Sequence, residues 1–243
     1  MVSFVIPAYD EERLIAGTLA ALQDAARVAG EPYEIIVVDD GSTDRTAAIA
    51  TAHGVRVVPV SYRQIAATRN AGARAARGDR LIFVDADTCV NGRVVRAALA
   101  TMRAGAVGGG CAVRFDEPLP AWARMLQPCF GGLQRAARLA AGCFLFCTRE
   151  AFVAVGGFDE RVYGAEEIFM SRSLKRCGRF VVLREAVLTS GRKLRAHSGR
   201  EILGVLGALL ARGPRSVQSR HALGLWYRPR REDPADDPRA KSV

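Results

Sequence analysis

The feature that most restricts how this chain can fold is a pairing repeated through its first hundred residues: a short apolar run, then a stretch of helical spacing. The apolar runs are Val2–Ile6, Ile35–Val38, Val55–Val60 and Leu81–Val84. Runs this short, rich in β-branched and aromatic residues, read as buried strands. Between them, Leu14, Ile15, Leu19 and Leu22 recur on one helical face, and glycines at 30, 54 and 78 mark stops. A first helix is expected near Asp10 with Glu11 and Glu12 in its first turn. A second is expected over Asp44–Ala52 with Ser42 as its cap, and a third from Gln64 to Arg77. Alternation of this kind predicts an α/β fold over residues 1–104, with a mostly parallel sheet and helices on both faces.

The ends of the strands carry the chemistry. Leu81–Val84 runs straight into Asp85-Ala86-Asp87, and Ile35–Val38 into Asp39-Asp40 followed by Gly41. If the chain stays extended, Asp85 and Asp87 point the same way. Two anions that close repel unless a cation or a proton lies between them. The carboxyl ends of strands are where open α/β sheets bind ligands. The pair therefore points to a hard divalent cation, Mg²⁺ or Mn²⁺, bridging a phosphorylated ligand; the plain alternative is an acidic turn. A dinucleotide-binding fold is excluded, because the first strand is followed by Pro7-Ala8-Tyr9-Asp10-Glu11-Glu12, which is acidic and has no glycine.

The formal net charge of +10 calls for an anionic partner: nucleotide phosphate, anionic lipid or nucleic acid. Nucleic-acid surfaces interleave aromatics with cations. Arg192–Arg200 has no aromatic and Arg212–Arg231 only Trp226 and Tyr227, so no nucleic-acid partner is expected. Six cysteines without a C-x-x-C pair, and three isolated histidines, argue against a zinc site and for reduced thiols in the cytoplasm. The apolar start is too short for a signal peptide and lacks a basic leader. No stretch reaches the roughly 20 apolar residues of a membrane span. Ala121–Ala141, with Trp122, Met125, Leu126, Phe130 and Leu133 beside Arg124, Arg135 and Arg138, has the composition of an interfacial segment. Arg192–Arg231 adds cations. The expectation is a cytoplasmic protein, peripheral at an anionic membrane surface; the same residues also suit a core or an acceptor cleft.

The second half is less regular. Gly108-Gly109-Gly110 reads as a flexible or a closely packed strand. Ala121–Ala141 reads as broken by Pro128 and Gly131-Gly132. Phe144–Cys147 and Phe180–Leu183 read as strands, and 149–155, 165–177 and 199–211 as helices. Residues 232–243 read as a disordered acidic tail.

Taken together, Val5–Glu12, Val37–Asp44, Arg69-Asn70-Ala71-Gly72, Asp85-Ala86-Asp87, Gly156–Glu160 and Glu166-Glu167 resemble the family 2 glycosyltransferases. The resemblance implies a GT-A fold and an inverting transfer from a nucleotide-sugar donor to a hydroxyl acceptor. Residues 1–104 would bind the donor, and 105–231 would supply the acceptor side and the base. It also implies that Pro7, Ala8 and Tyr9 flank the base, that Glu11 supports the pocket, and that Asp40 bonds base or ribose. Arg69 and Asn70 would help hold the donor. Asp87 would be the first choice for metal ligation, with Asp85 on metal or ribose and Ala86 between them beside the donor. Where the family usually has Glu-Asp, its aspartate the catalytic base, this chain has Glu166-Glu167. Either the longer Glu167 sits further back, or Glu166 serves. The basic loop Thr189–His197 could close over a diphosphate, with His197 as a candidate third metal ligand. Two alternatives stand beside this reading. A sugar-nucleotide nucleotidyltransferase would want a glycine-rich basic loop after the first strand. A non-catalytic basic binding protein is suggested by the departure at Glu167.

Overall fold

The computed structural model describes residues 1–196 and residue 199; His197, the helix expected at 199–211 and the tail 232–243 lie outside the described residues. The elements in order are β1 (Val2–Ala8), α1 (Ile15–Ala29), β2 (Tyr33–Asp39), α2 (Thr46–Ala52), β3 (Arg56–Pro59), α3 (Ile65–Ala75), β4 (Arg80–Val84), β5 (Thr88–Cys89), α4 (Gly92–Arg103), β6 (Gly108–Phe115), α5 (Ala121–Ala137), β7 (Phe144–Thr148), α6 (Arg149–Ala154), α7 (Glu166–Cys177), β8 (Phe180–Thr189) and α8 (Arg192–Ala196).

All eight strands share one sheet, ordered β3-β2-β1-β4-β7-β6-β8-β5. The block β3-β2-β1-β4 is parallel throughout. Beyond β4 the sheet is mixed: β7 runs antiparallel to both β4 and β6, β6 is parallel to β8, and β5 pairs antiparallel with β8. The fold is α/β, as expected, and parallel pairing holds through the first four strands and recurs between β6 and β8.

Strand alternation divides the core in two. Phe4, Ile6, Ile82 and Val84 face α1 and α4, packing with Ile15, Leu19, Leu22, Val94 and Leu99. Val5, Leu81 and Phe83 face the other way, toward α3, α6 and α7, with Ala66, Ala73, Phe152, Met170 and Leu174. Phe83 stacks on Phe152 at 5.6 Å and meets Phe158 edge-on at 5.0 Å, contacts worth about 0.5–1.5 kcal/mol each beyond area burial. The three glycines of β6 are a closely packed strand. A Cβ on Gly109 would lie 2.0 Å from the Val181 carbonyl oxygen and 2.4 Å from the Phe146 ring, so a side chain there would push strands apart.

Several boundaries differ from the sequence expectation for local reasons. α1 starts at Ile15, not near Asp10, and has no acid in its first turn. The backbone N–H groups of Asp10, Glu11 and Glu12 donate instead to the side chains of Ser42, Thr46 and Asp44. Ser42 is therefore engaged by Asp10 and does not cap α2, which begins at Thr46. α5 runs unbroken through Pro128 and Gly131-Gly132. Pro128 and Arg124, whose carbonyl loses its helical bond, are both exposed, and the far end is anchored by Gln134 Nε2 donating to the Cys111 carbonyl at 3.2 Å. β8 extends to Thr189 through Arg184 and Glu185, both exposed.

Candidate active site

The carboxyl ends of β1, β2 and β4 lie side by side because these strands are parallel and in register. β1 continues through Pro7 and Ala8, both buried, before turning at Asp10, which has φ 48°. Tyr9 follows β1 at this edge, and the Arg63 guanidinium lies 3.4 Å from its ring centroid, a cation–π contact. Asp40 follows β2. Its carboxylate accepts from the backbone N–H groups of Tyr62, Arg63 and Gln64 at 2.6, 2.8 and 3.1 Å, and from the Thr68 hydroxyl at 2.9 Å. Those groups open α3, so Asp40 holds the 62–64 turn that lays Arg63 over Tyr9.

After β4 the chain turns rather than staying extended: residues 86 and 87 are a turn and Thr88 starts β5. The premise that placed Asp85 and Asp87 on one strand face therefore does not hold, and the two acids have different partners. Ala86 is buried, its carbonyl accepting the Thr18 hydroxyl at 2.8 Å. Asp85 accepts from Arg69 Nη2 at 2.7 Å. Asp87 accepts from Arg192 Nη2 at 2.9 Å, with the Thr189 hydroxyl at 3.5 Å.

Arg69 is 1% exposed. Its Nη1 donates to Glu166 Oε1 at 2.5 Å, and its Nη2 also donates to the Gly142 carbonyl at 2.9 Å. One guanidinium thus ties the acid after β4 to the acid that starts α7. Burial alone would lower the arginine's pKa; Asp85, Glu166 and Glu167 outweigh it and leave the value raised, so the charge is permanent. Asn70 is also enclosed. Its amide donates to the Phe158 carbonyl and Glu160, and accepts from the Phe158 N–H at 2.9 Å. These bonds hold the Gly156–Glu160 turn, where Gly157 has φ 78° and a Cβ would lie 2.7 Å from Asn70 Oδ1. Arg69 and Asn70 are both buried, and their polar contacts are with the protein's own groups.

Glu166 and Glu167 are the first residues of α7, which follows Ala165 at φ 59°. Glu166 is 4% exposed and committed to Arg69. Glu167 faces Gly142: a Cβ there would lie 3.6 Å from Glu167 Cδ. Burial first, then the charge of Glu166, pushes its carboxyl up to about 8, against the opposing pull of Arg69. A carboxyl of that kind accepts a proton near neutral pH.

Arg192 was legible only as one cation of a basic loop. β5 pairs Thr88 with Thr189, and the Thr88 and Thr189 hydroxyls meet at 2.8 Å. Ser190 N–H then donates to the Asp87 carbonyl. This brings Arg192 onto Glu11 with both terminal nitrogens, at 2.8 and 2.6 Å. Residues 87 and 192 are 105 apart in sequence, and nothing local in either signals the contact. The contact of Arg63 with Tyr9 was likewise unmarked.

The oxygens of Asp87, Asp85 and Glu11 are hard, and the nitrogen of Arg192 shows that a cation fits between Glu11 and Asp87. Among the described residues, no group of three or more acid, histidine or cysteine side chains is placed to hold a metal ion by itself. Mg²⁺ and Mn²⁺ can be held by one or two carboxylates, their other ligands coming from phosphates and water.

A profile of glycosyl transferase family 2 matches residues 3–154, well over half of the chain. The chain belongs to glycosyl transferase family 2. Curated relatives include an undecaprenyl-phosphate 4-deoxy-4-formamido-L-arabinose transferase of Pseudomonas paraeruginosa, 43% identical over 95 residues. That alignment covers 36% of this chain and 28% of the relative. A validoxylamine A glucosyltransferase of Streptomyces hygroscopicus is 32% identical over 130 residues, covering 49% of this chain and 28% of the relative. The family 2 chain thus spans less than a third of these relatives. Among solved structures, the mannosyltransferase PcManGT from Pyrobaculum calidifontis in complex with GDP-Man and Mn²⁺ superposes with TM-score 0.66. It is 18% identical, with 89% of this chain and 62% of that one covered. S. aureus TarS 1-349 in complex with UDP-GlcNAc gives 0.61 at 19% identity, covering 78% and 58%. These likenesses show the GT-A fold of this family 2 protein.

Proposed function

We propose that the chain transfers a sugar from a nucleotide-sugar donor to a hydroxyl of an acceptor, with inversion. The observation that carries this is the Arg69 bridge, which sets the Asp85–Asp87 turn and the start of α7 beside one another. Tyr9 and the backbone at Pro7 and Ala8 flank the nucleobase, and Asp40 acts there by fixing the turn over Tyr9. Glu11 and Asp87 hold the divalent cation, Mg²⁺ or Mn²⁺, with Asp85 and the Ala86 backbone alongside the donor. When bound, the cation offsets charge developing on the departing diphosphate. Glu167 takes the proton from the acceptor hydroxyl, whose oxygen attacks the anomeric carbon opposite the leaving group. Its raised pKa supports this role, and the engagement of Glu166 with Arg69 favours Glu167 over its neighbour. The complex titles of PcManGT and TarS support a nucleotide-sugar donor and a divalent ion.

A membrane-bound acceptor is favoured by α5. Met125 is 73% and Leu133 70% exposed, Leu126 is exposed beside them, and Arg124, Arg135 and Arg138 are exposed on the same segment. Trp122, read as part of this face, is half-buried. No helix among the described residues is long and apolar enough to cross a membrane. The chain rests at an anionic membrane surface through this segment, and its relative named for undecaprenyl-phosphate supports a lipid-phosphate acceptor.

A panel of sugar nucleotides with Mn²⁺, read by thermal protection and by donor hydrolysis, tests the first reading; protection by no member of the panel would reject it. Sedimentation with anionic and neutral vesicles at two salt concentrations tests the second. Equal binding to both vesicle types would reject it.

A further inference from the structure

Two guanidiniums sit in the acid cluster, and only one of them is built in permanently. Arg69 is enclosed on all sides, whereas the Arg192 side chain is 22% exposed. Arg192 Nη2 is within 2.6 Å of Glu11 Oε1 and 2.9 Å of Asp87 Oδ2, so one nitrogen bridges two carboxylates that are far apart in sequence. Both acids are largely buried: their side chains are 8% and 14% exposed. Left without a cation, they would repel each other in poorly screened surroundings.

We infer that Arg192 is a resident counter-cation in the position a divalent ion would take, and that metal binding moves Arg192 off Glu11 and Asp87 and onto the sugar donor's diphosphate. The inference rests on the reading of Asp87 as a metal ligand. A guanidinium and a divalent ion cannot share the same oxygens, because they compete for the lone pairs and repel each other. The exchange needs little chain movement. α8 is fastened independently of Arg192: Arg195 Nη1 donates to Asp116 Oδ1 at 2.8 Å, Gly191 N–H donates to the same carboxylate, and Thr189 is paired with Thr88. The long arginine side chain can swing while its helix stays docked. Its paired donors match a diphosphate, which would stand where the metal's remaining ligands are needed. An ion arriving alone displaces Arg192 and gives it nothing in return; an ion arriving with a diphosphate supplies its new partner. Metal and donor therefore bind cooperatively, and Arg192 is the source of that coupling. It is a positioning residue, separate from the base.

The test is Mn²⁺ binding without any donor, followed by loss of the free-ion electron paramagnetic resonance signal, in the wild type, Arg192→Gln and Asp87→Asn. Arg192→Gln is expected to bind Mn²⁺ about tenfold tighter than wild type, within the range usual for coupled sites. Asp87→Asn should lose that binding. In the wild type, saturating Mg²⁺ should shift the guanidinium NMR signals of Arg192 while the backbone amide signals of residues 188–196 change little, a measurement that needs no variant to fold. Asp87-dependent binding of equal strength in wild type and Arg192→Gln, with the Arg192 guanidinium signals unmoved by Mg²⁺, would overturn the inference and leave the metal reading standing. No Asp87-dependent binding in either protein would remove the metal reading and the inference with it.

Discussion

Arg69 and Arg192 do the same local job in opposite ways. Each bridges two carboxylates that come from distant parts of the chain. Arg69 springs from the middle of α3, is sealed under Phe158 at 5.4 Å, and has a third acceptor in the Gly142 carbonyl. Arg192 springs from a five-residue helix and is partly open to solvent. Both stay charged, since burial pulls each pKa down and the neighbouring acids more than restore it. The difference lies in what can replace them. Nothing can reach the place of Arg69, so it acts as framework; an ion or water can reach the place of Arg192, so its charge is exchangeable. A guanidinium in an acid cluster is thus structural or functional according to access, not according to its bonds.

The largest effect expected tests the group that Arg69 fails to control. Glu167→Gln should lower the transfer rate about 10²–10⁴-fold while leaving donor binding intact, measured by kcat with the identified acceptor and by donor titration. Activity of the wild type should rise with pH through about 8 as Glu167 loses its proton; a rate independent of pH there would return the role to Glu166. Next, Arg69→Ala should cost about 3–5 kcal/mol in denaturant unfolding, because it leaves Glu166 buried and Asp85 half-buried without their cation. No added metal should restore it. Restoration of the loss by added metal would make the two arginines equivalent and undo the comparison.

Asp87→Asn should remove most of the Mn²⁺-dependent protection by donor, worth about 2.7 kcal/mol at a hundredfold excess over Kd, with the unliganded melting temperature nearly unchanged. Arg192→Ala should also lower stability in the same unfolding measurement, since it leaves Glu11 and Asp87, 8% and 14% exposed, without their cation, and Mn²⁺ should restore the loss. Failure of Mn²⁺ to do so would place Arg192 with Arg69. The smallest effect concerns Glu167 again. Its pKa is raised on folding, so the native state holds the proton more tightly; stability is full below the unfolded value and falls as pH rises toward about 8. Glu167→Gln should therefore melt about 2–4 °C higher than wild type above that pH, the shift for about 1 kcal/mol in a chain of this length, and equal it near pH 4.

The first half of the fold was legible because each of its strands is a short apolar run bounded by glycine or acids, and parallel strands buried on both faces need little else. The helix starts were less so. Glu11 and Glu12 look like first-turn acids, yet side chains from the 42–46 segment claim their N–H groups. β5 was invisible: two residues carry no period, and Thr88 is a strand residue only because Thr189 lies beside it.

The family, the order of the strands and helices through β4, and the acids at the strand ends can all be read along the chain. These follow from local composition and period, which the chain carries wherever it folds. The tertiary structure alone decided the pairing of charges. Arg69 reads locally as one cation of a basic helix and Asp40 as a candidate nucleotide contact, but one is a buried bridge and the other holds a turn. Arg192 meets Glu11 across 181 residues. A buried charge takes whichever opposite charge the packed elements bring within reach, and that is fixed only once β7 has turned back against β4 and β8 has laid Thr189 on Thr88.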